Sequence, residues 1–191
     1  MNKAGEENRS VRHTKRRLRE GLLRLMQDKP INEISVKELT ELVDVNRGTF
    51  YFHYPDIYAL LRDMEEDFFR QFSRTLADVP PSEQMAYDYL RAIFATLGEN
   101  RDFCRIMLGP HGDMQFVERI KLLVDERCSG FWHSAARETD EELFELYNAF
   151  IIHGCIGMLR KWLEGQVSGT PEEISRLAAA VILSSARSTI I

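Results

Sequence analysis

The stretch "VNRGTFYFHYPDIYALL", Val45 to Leu61, sets an arginine, a threonine, a histidine and five aromatic rings around one glycine in a segment that reads as mostly helix. Arginine and threonine hydrogen-bond to base edges and phosphates, tyrosine and histidine hydrogen-bond to phosphates, and a glycine admits close approach of a backbone. If Val45, Phe50 and Tyr54 form the inward side of a very short helix, then Arg47, Gly48, Thr49, Tyr51, Phe52 and His53 are left outside or on its flanks. A helical hairpin packed with aromatics accounts for Phe50 and Tyr54 but not for the others.

The elements that must hold this set are legible upstream. "SVKE" is a capping box, with the Ser35 hydroxyl placed for the amide of Glu38 and Glu38 reaching back; Leu39, Leu42 and Val43 then form the buried side of a short second helix. That helix stops at "DVN", where Asp44 sits at a position that asks for a left-handed backbone and Asn46 caps the third helix. Two short helices joined by a three-residue turn, the second with contact residues at its N-terminal end, make a helix-turn-helix. Ser35, Val36 and Lys37 at the start of helix 2 and Asn46 at the start of helix 3 join the candidate DNA contacts. In the first helix Leu18, Leu22, Leu25 and Met26 recur at helical period, leaving Arg12, Lys15, Arg16 and Arg19 on another face.

Charge distribution agrees. The net charge is −5, but through Arg74 there are 14 basic against 13 acidic residues, and the remainder holds 11 of the basic and 17 of the acidic ones. Arg9, Arg12, Lys15, Arg16, Arg17 and Arg19 follow one another with no acid between them, a footprint suited to a phosphate backbone, with Arg16 taken as a contact. The bland alternative is a solvated basic helix face.

Residues 14 to 72 resemble the DNA-binding domain of the tetracycline-repressor (TetR) family. The family pattern of a Ser/Thr-initiated helix 2, a "GV" turn and a "G-T-x-Y-x-x-F" helix 3 is matched by "SVKELTELVDVNRGTFYFHY". Three positions depart from it: Asp44 replaces the turn glycine, Gly21 an interior alanine of helix 1, and Ile57 a frequent lysine at the start of helix 4. With Ile57 a phosphate contact there falls to the backbone amides after Pro55 and Asp56. "RGTFY" with the later "HGCIGMLRKWLEG" and "TPEEI" is similar to one branch of the family, in which some members regulate dihydroxyacetone kinase, and this likeness covers nearly the whole chain. It implies an all-α protein: a homeodomain-like three-helix domain followed by a helical ligand-binding and dimerisation domain. It further implies double-stranded operator DNA, a second copy of the chain and a small-molecule effector as partners, with repression the default and activation the alternative.

The expected division is a flexible basic arm at 1–10, the helix-turn-helix domain at 11–56, a connecting helix at 57–80 and the C-terminal domain at 81–191, with "DVPPSEQ" as the boundary. Helix 4 carries Leu60, Leu61, Met64, Phe68, Phe69 and Phe72 on its apolar side. Beyond Pro81 helices are expected at 83–99, 101–109, 114–137, 141–164 and 171–188, the last opened by "TPEE" with Thr170 as cap and Pro171 in its first turn. No strand alternation or internal repeat competes. The polar N-terminus lacks an apolar signal segment, and "YNAFIIHGCIGML" is too short to span a bilayer, so a cytoplasmic protein without membrane contact is expected. Cys104, Cys128 and Cys155 are too widely spaced for a zinc site or disulfide framework, and neither metal nor cofactor is expected.

The last two helices read as a pairing surface, in which Phe150, Gly154, Leu177, Ala178, Val181, Ile182 and Ser185 alternate small with large apolar side chains and two helices from each subunit form a four-helix interface. A ligand cavity between helices 5 to 8 draws on Phe94, Cys104, Met107, Phe131, Trp132, Tyr147, His153 and Met158, with His153 the lone polar residue of its run and Gly154 and Gly157 leaving volume. For any single one of these, ordinary core packing is the alternative. Catalysis is not expected. His153 and Cys155 lie two apart on a helix and point about 200° apart, and "HGD" at 111–113 has no phosphate cradle or metalloprotease motif near it. A helical protein-interaction module without DNA binding would need neither the basic helix 1 nor Arg47 and Gly48 at a helix start.

Overall fold

A computed structural model describes residues 3–80, 85–135 and 141–189, and over these the chain is helical with no strand. In order come α1 (Lys3–Met26), a 3-10 turn (Ile31–Glu33), α2 (Val36–Leu42), α3 (Arg47–His53), α4 (Ile57–Ala77), α5 (Met85–Glu99), α6 (Arg101–Met107), α7 (Met114–Ala135), α8 (Glu141–Leu163) and α9 (Pro171–Thr189). Two boundaries differ from expectation by more than two residues. The segment assigned to a flexible arm continues α1 back to Lys3, as helix formers such as Ala4, Glu6 and Glu7 allow. Helix α4 stops at Ala77, not at residue 80, because Pro80 disfavours helical geometry at Val79. No helix among the described residues is long and apolar enough to cross a membrane.

The N-terminal bundle closes over Leu18, Leu22, Leu39, Phe50 and Leu60, all fully buried. Gly21 is what lets α1 and α2 touch: a Cβ there would stand 2.2 Å from Val43 Cγ1 and 2.9 Å from Leu39 Cδ1. Where the resembled family has alanine, this chain needs glycine because Val43 fills that space.

Asp63 on α4 joins three helices. It accepts hydrogen bonds from the Tyr54 hydroxyl at 2.6 Å and from Arg19 at 2.7 Å, while the other bond of that guanidinium goes to Asp67 at 2.6 Å. Lys15 lies 3.7 Å from the same carboxylate and 5.1 Å from the Tyr54 ring centroid. Thus Lys15 and Arg19, expected among the phosphate contacts, bind α4 instead, because their position on α1 turns them toward its acidic residues.

The C-terminal domain packs α5 against α9, with Leu90, Ile93, Phe94 and Leu97 opposite Ile174, Ala178 and Ile182. The expected cap of α9 is complete: Thr170 Oγ1 accepts from the Glu173 amide at 3.2 Å and Glu173 returns to the Thr170 amide at 2.8 Å. Trp162 locks the end of α8. It is buried against Phe94, its indole N–H donates to Gly169 O at 2.9 Å, and a Cβ at Gly98 would stand 2.8 Å from its ring. Arg101 completes the lock, donating to Trp162 O at 2.6 Å and Leu163 O at 3.2 Å.

Burial favours the neutral form of Asp63, but the hydrogen bonds from Tyr54 and Arg19 and the charges of Arg19 and Lys15 outweigh it, so its carboxyl titrates below its ordinary value of 3.8. The stabilisation is therefore full above that value and is lost as pH falls through the lower folded one. Asp63→Asn should cost about 1 to 3 kcal/mol at pH 7, toward the lower end because the carboxylate is a third exposed. Thermal melts of the two proteins should converge only as pH falls well below 3.8.

Candidate nucleic-acid interface

The turn between α2 and α3 is a Schellman closure. The Val45 amide donates to Thr40 O at 3.0 Å and the Asp44 amide to Glu41 O at 3.4 Å, with Asp44 at φ 48°, the left-handed conformation expected of it. From α1, Arg17 donates to the carbonyls of Val43 and of Asp44, the latter at 3.1 Å. A third member of the basic run thus holds the turn, so Lys15, Arg17 and Arg19 are structural. The outward basic surface of α1 is formed by Arg9, Arg12, His13 and Arg16; Arg16 is exposed and lies 3.7 Å from Glu20.

Asn46 caps α3, its side-chain oxygen accepting from the Gly48 amide at 2.7 Å. A Cβ on Gly48 would stand 3.1 Å from that oxygen, so the glycine serves the cap as well as the open surface. Phe50 and Tyr54 are buried and Val45 half-buried, which turns Arg47, Gly48, Thr49, Tyr51 and Phe52 outward. Phe52 is 80% exposed and Tyr51 57%. His53 is half-buried, and burial together with Lys15 lowers its pKa below 6.5, so at neutral pH it offers hydrogen bonds without a charge.

At the start of α2, Ser35 accepts from the Glu38 amide at 3.1 Å, but Glu38 does not turn back to close the box: both its oxygens take Lys29, at 2.6 and 2.7 Å. Val36 is half-buried and Lys37 exposed. At the start of α4, Asp56 accepts from the Ala59 amide at 2.7 Å, which leaves the earlier amides of that turn open. Tyr58, 47% exposed in the same turn, lies beside this surface, and its place off the stripe of Ile57, Leu60, Leu61 and Met64 is the sequence signal that points to it.

The C-terminal candidates divide. Of the expected cavity residues whose side chains are described, Phe94 alone lines an apolar cavity of about 90 Å³ between α5, α7, α8 and α9, where the other walls come from residues such as Ile93, Ile120, Val124, Ile152 and Cys155. Met107 and His153 line a second space of about 180 Å³ beside the α6–α7 loop. Cys104, Tyr147 and Met158 line neither: Cys104 is fully buried core, and the Tyr147 hydroxyl donates to Ile182 O at 2.9 Å. His153 is exposed, not buried in its apolar run, and Gly154 and Gly157 face open space, because the helix turns this side outward. The Phe131 and Trp132 side chains lie outside the described residues, as do those of Ser185 and Cys128. Burial pushes the Cys155 thiol up to about 11 and the Cys104 thiol further, so both are neutral at pH 7.

Of the pairing residues, Phe150, Leu177 and Val181 are exposed and Gly154 is open, whereas Ala178 and Ile182 are buried against α5 within the subunit. They stand one position along from Leu177 and Val181, about 100° round the helix, and cannot belong to the outward stripe.

Residues 84–184, more than half of the chain, match the TetR-type family model described as a transcriptional regulator C-terminal region. The HTH-type transcriptional regulator YxbF of Bacillus subtilis (strain 168), itself uncharacterised, is 23% identical over 164 residues, 83% of this chain; the chain spans 42% of that relative's length. A TetR transcriptional regulator from Streptococcus agalactiae 2603V is similar in structure, with TM-score 0.65 and 22% identity over 94% of this chain and 98% of that one. A TetR-like regulator from Rhodococcus sp. RHA1 gives 0.67 and 14% over 89% and 93%. The dihydroxyacetone kinase operon activator DhaS gives 0.53 and 16% over 91% and 96%. At these identities the structures share the fold.

Because the Asp44 side chain is exposed and Arg17 grips backbone carbonyls, a glycine at position 44 keeps every hydrogen bond of the turn. Asp44→Gly should therefore leave the fold intact and raise stability by up to about 1 kcal/mol through relief of the left-handed side chain. A lowered urea midpoint would contradict this account of the turn.

Proposed function

The chain belongs to the TetR family of DNA-binding transcriptional regulators, and from that premise we propose that it is a ligand-responsive repressor that reads a near-palindromic operator as a homodimer. The observation that carries the proposal is the outward set Arg47, Gly48, Thr49, Tyr51 and Phe52 on a helix fixed by its cap, its turn and two buried rings. Helix α3 enters the major groove, where Arg47 and Thr49 read base edges. Tyr51, Lys37 and Arg16 meet phosphates, joined by Tyr58 and the open amides of α4. Two such heads address half-sites about one helical turn, roughly 34 to 36 Å, apart.

Dimerisation is supported by the outward stripe of α8 and α9, where Leu146 and Phe150 are each 68% exposed, Gly154 and Gly157 are bare, and Leu177 and Val181 stand out of α9. Small residues between large ones let two such surfaces approach closely. An effector in the C-terminal domain would act on α3 through α4, with a coupling of about 1 to 3 kcal/mol typical of such switches. The DhaS activator shares the fold, so activation is the second reading; transcription from the bound promoter with and without the protein decides between them.

Selection of bound fragments from the source genome gives the operator, and binding to it should weaken steeply with salt. On that operator Arg47→Ala should cost about 1 to 3 kcal/mol and relax specificity at one base pair, while Lys37→Ala weakens all sequences alike. Undiminished, sequence-specific binding by the Arg47→Ala, Thr49→Ala, Tyr51→Ala triple variant would remove α3 as the reader. Phe150→Glu or Val181→Glu should yield folded monomers with operator affinity lost, since each buries an unpaired charge in the dimer. Ala178→Glu should instead unfold the subunit. Sedimentation showing dimers for both surface variants would rule out this interface.

A further inference from the structure

The two spaces in the C-terminal domain share a wall, since Lys121 and Ile156 line both. On one side of that wall the lining is mostly hydrocarbon, including Leu90, Ile93, Phe94, Ile120 and Ile152, with Asp125 and Asn148 as its polar members beside Lys121. On the other side, where α8 faces the α6–α7 loop, stand Lys121, His153 and Arg160 with a single carboxylate, Asp113. The Arg160 guanidinium is exposed and has no hydrogen-bond or ion-pair partner among the described residues. His153 uses Nδ1 on Ala149 O at 2.7 Å, which leaves its other ring nitrogen open. Lys121 is held by Glu118 at 2.8 Å but keeps further donor capacity. The Asp113 carboxylate is already engaged, accepting from the Gln115 amide at 2.8 Å.

An apolar cavity side by side with a cationic pocket, divided by one lysine and one isoleucine, is complementary to a molecule with a hydrocarbon tail and an anionic head. Resting on the ligand-responsive reading above, we infer that the effector is an amphiphilic carboxylate. Its tail lies among Ile93, Phe94 and Ile152, and its head meets Arg160 and Lys121. The head pocket is coupled to the connecting helix through charge rather than contact. Asp113, in its wall, lies within electrostatic range of Glu65 on α4, a buried carboxylate with one oxygen unpartnered and the other 3.9 Å from Arg119. Charge arriving at Arg160 and Lys121 therefore changes the field at the helix that orients α3.

The test uses octanoate, octanol and acetate, below micelle-forming concentrations, titrated calorimetrically into the full-length protein. Octanoate should bind at least about tenfold more tightly than octanol, because a charge-assisted hydrogen bond separates them, and acetate should not bind measurably. Arg160→Gln and Lys121→Gln, both on solvent-accessible side chains, should erase the preference for octanoate while leaving octanol binding in place. Ile152→Trp should fill the tail cavity and remove both. Equal binding of octanoate and octanol, no binding of either, or an octanoate preference that survives both charge variants would overturn the assignment. Operator binding by the unliganded protein, measured in parallel, separates such a failure from failure of the DNA-binding reading.

Discussion

Helix α4 is the constraint on which the rest of the molecule depends, because one amphipathic helix must satisfy two cores. Its N-terminal half gives Ile57, Leu60, Leu61 and Met64 to the bundle of α1 to α3, and its C-terminal half gives Phe68, Phe69 and Phe72 to the second domain. Phe68 stacks on Phe72 at 5.6 Å and meets Phe116 of α7 at 5.2 Å and Phe103 of α6 at 5.6 Å, while Arg119 sits 3.9 Å over Phe69. Aromatic packing of this kind has few alternative arrangements at the same density, so the two ends of α4 move as one body.

The architecture was largely readable from periodicity and capping. Ser35, Asn46, Asp56 and Thr170 all start helices where their side chains accept a backbone amide, and Asp44 adopts the left-handed turn its type permits. What escaped reading was orientation within a helix. Lys15, Arg17 and Arg19 look like their neighbours Arg12 and Arg16 in a list of charges, yet a rotation of about 100° per residue sends them to Asp63, Val43 and Asp67. The same limit misplaced Ala178 and Ile182, since small and branched apolar residues suit an internal helix contact and a subunit interface equally well. The cavities were harder still, because they depend on which helices abut across more than a hundred residues of sequence.

The reassigned cations alter the physics expected at the DNA surface. With three basic side chains tied into the bundle, the proposed duplex-facing surface would rely more on Arg47, Thr49, the exposed rings of Tyr51 and Phe52, and backbone amides than on a dense positive field. Contacts of that kind release fewer counterions but are directional, and directional contacts discriminate between sequences better than charge does.

The lock around Trp162 fastens the C-terminal end of α8, while toward the other end the Tyr147 hydroxyl on Ile182 O is a single lighter attachment. Leu159, Trp162 and Leu163 are buried and Arg101 holds the last carbonyls, whereas the described residues from Glu145 to Phe150 are exposed or half-buried. A rod held firmly at one end and by one hydrogen bond along its length moves most easily by a swing about the firm end. The free length carries Ile151, Ile152 and Cys155 toward the cavity, and Leu146, Phe150 and Gly154 on its outward side. Any swing that widens the internal space also tilts the outer stripe, so the room available inside one subunit and the angle at which it presents itself to another are a single mechanical variable.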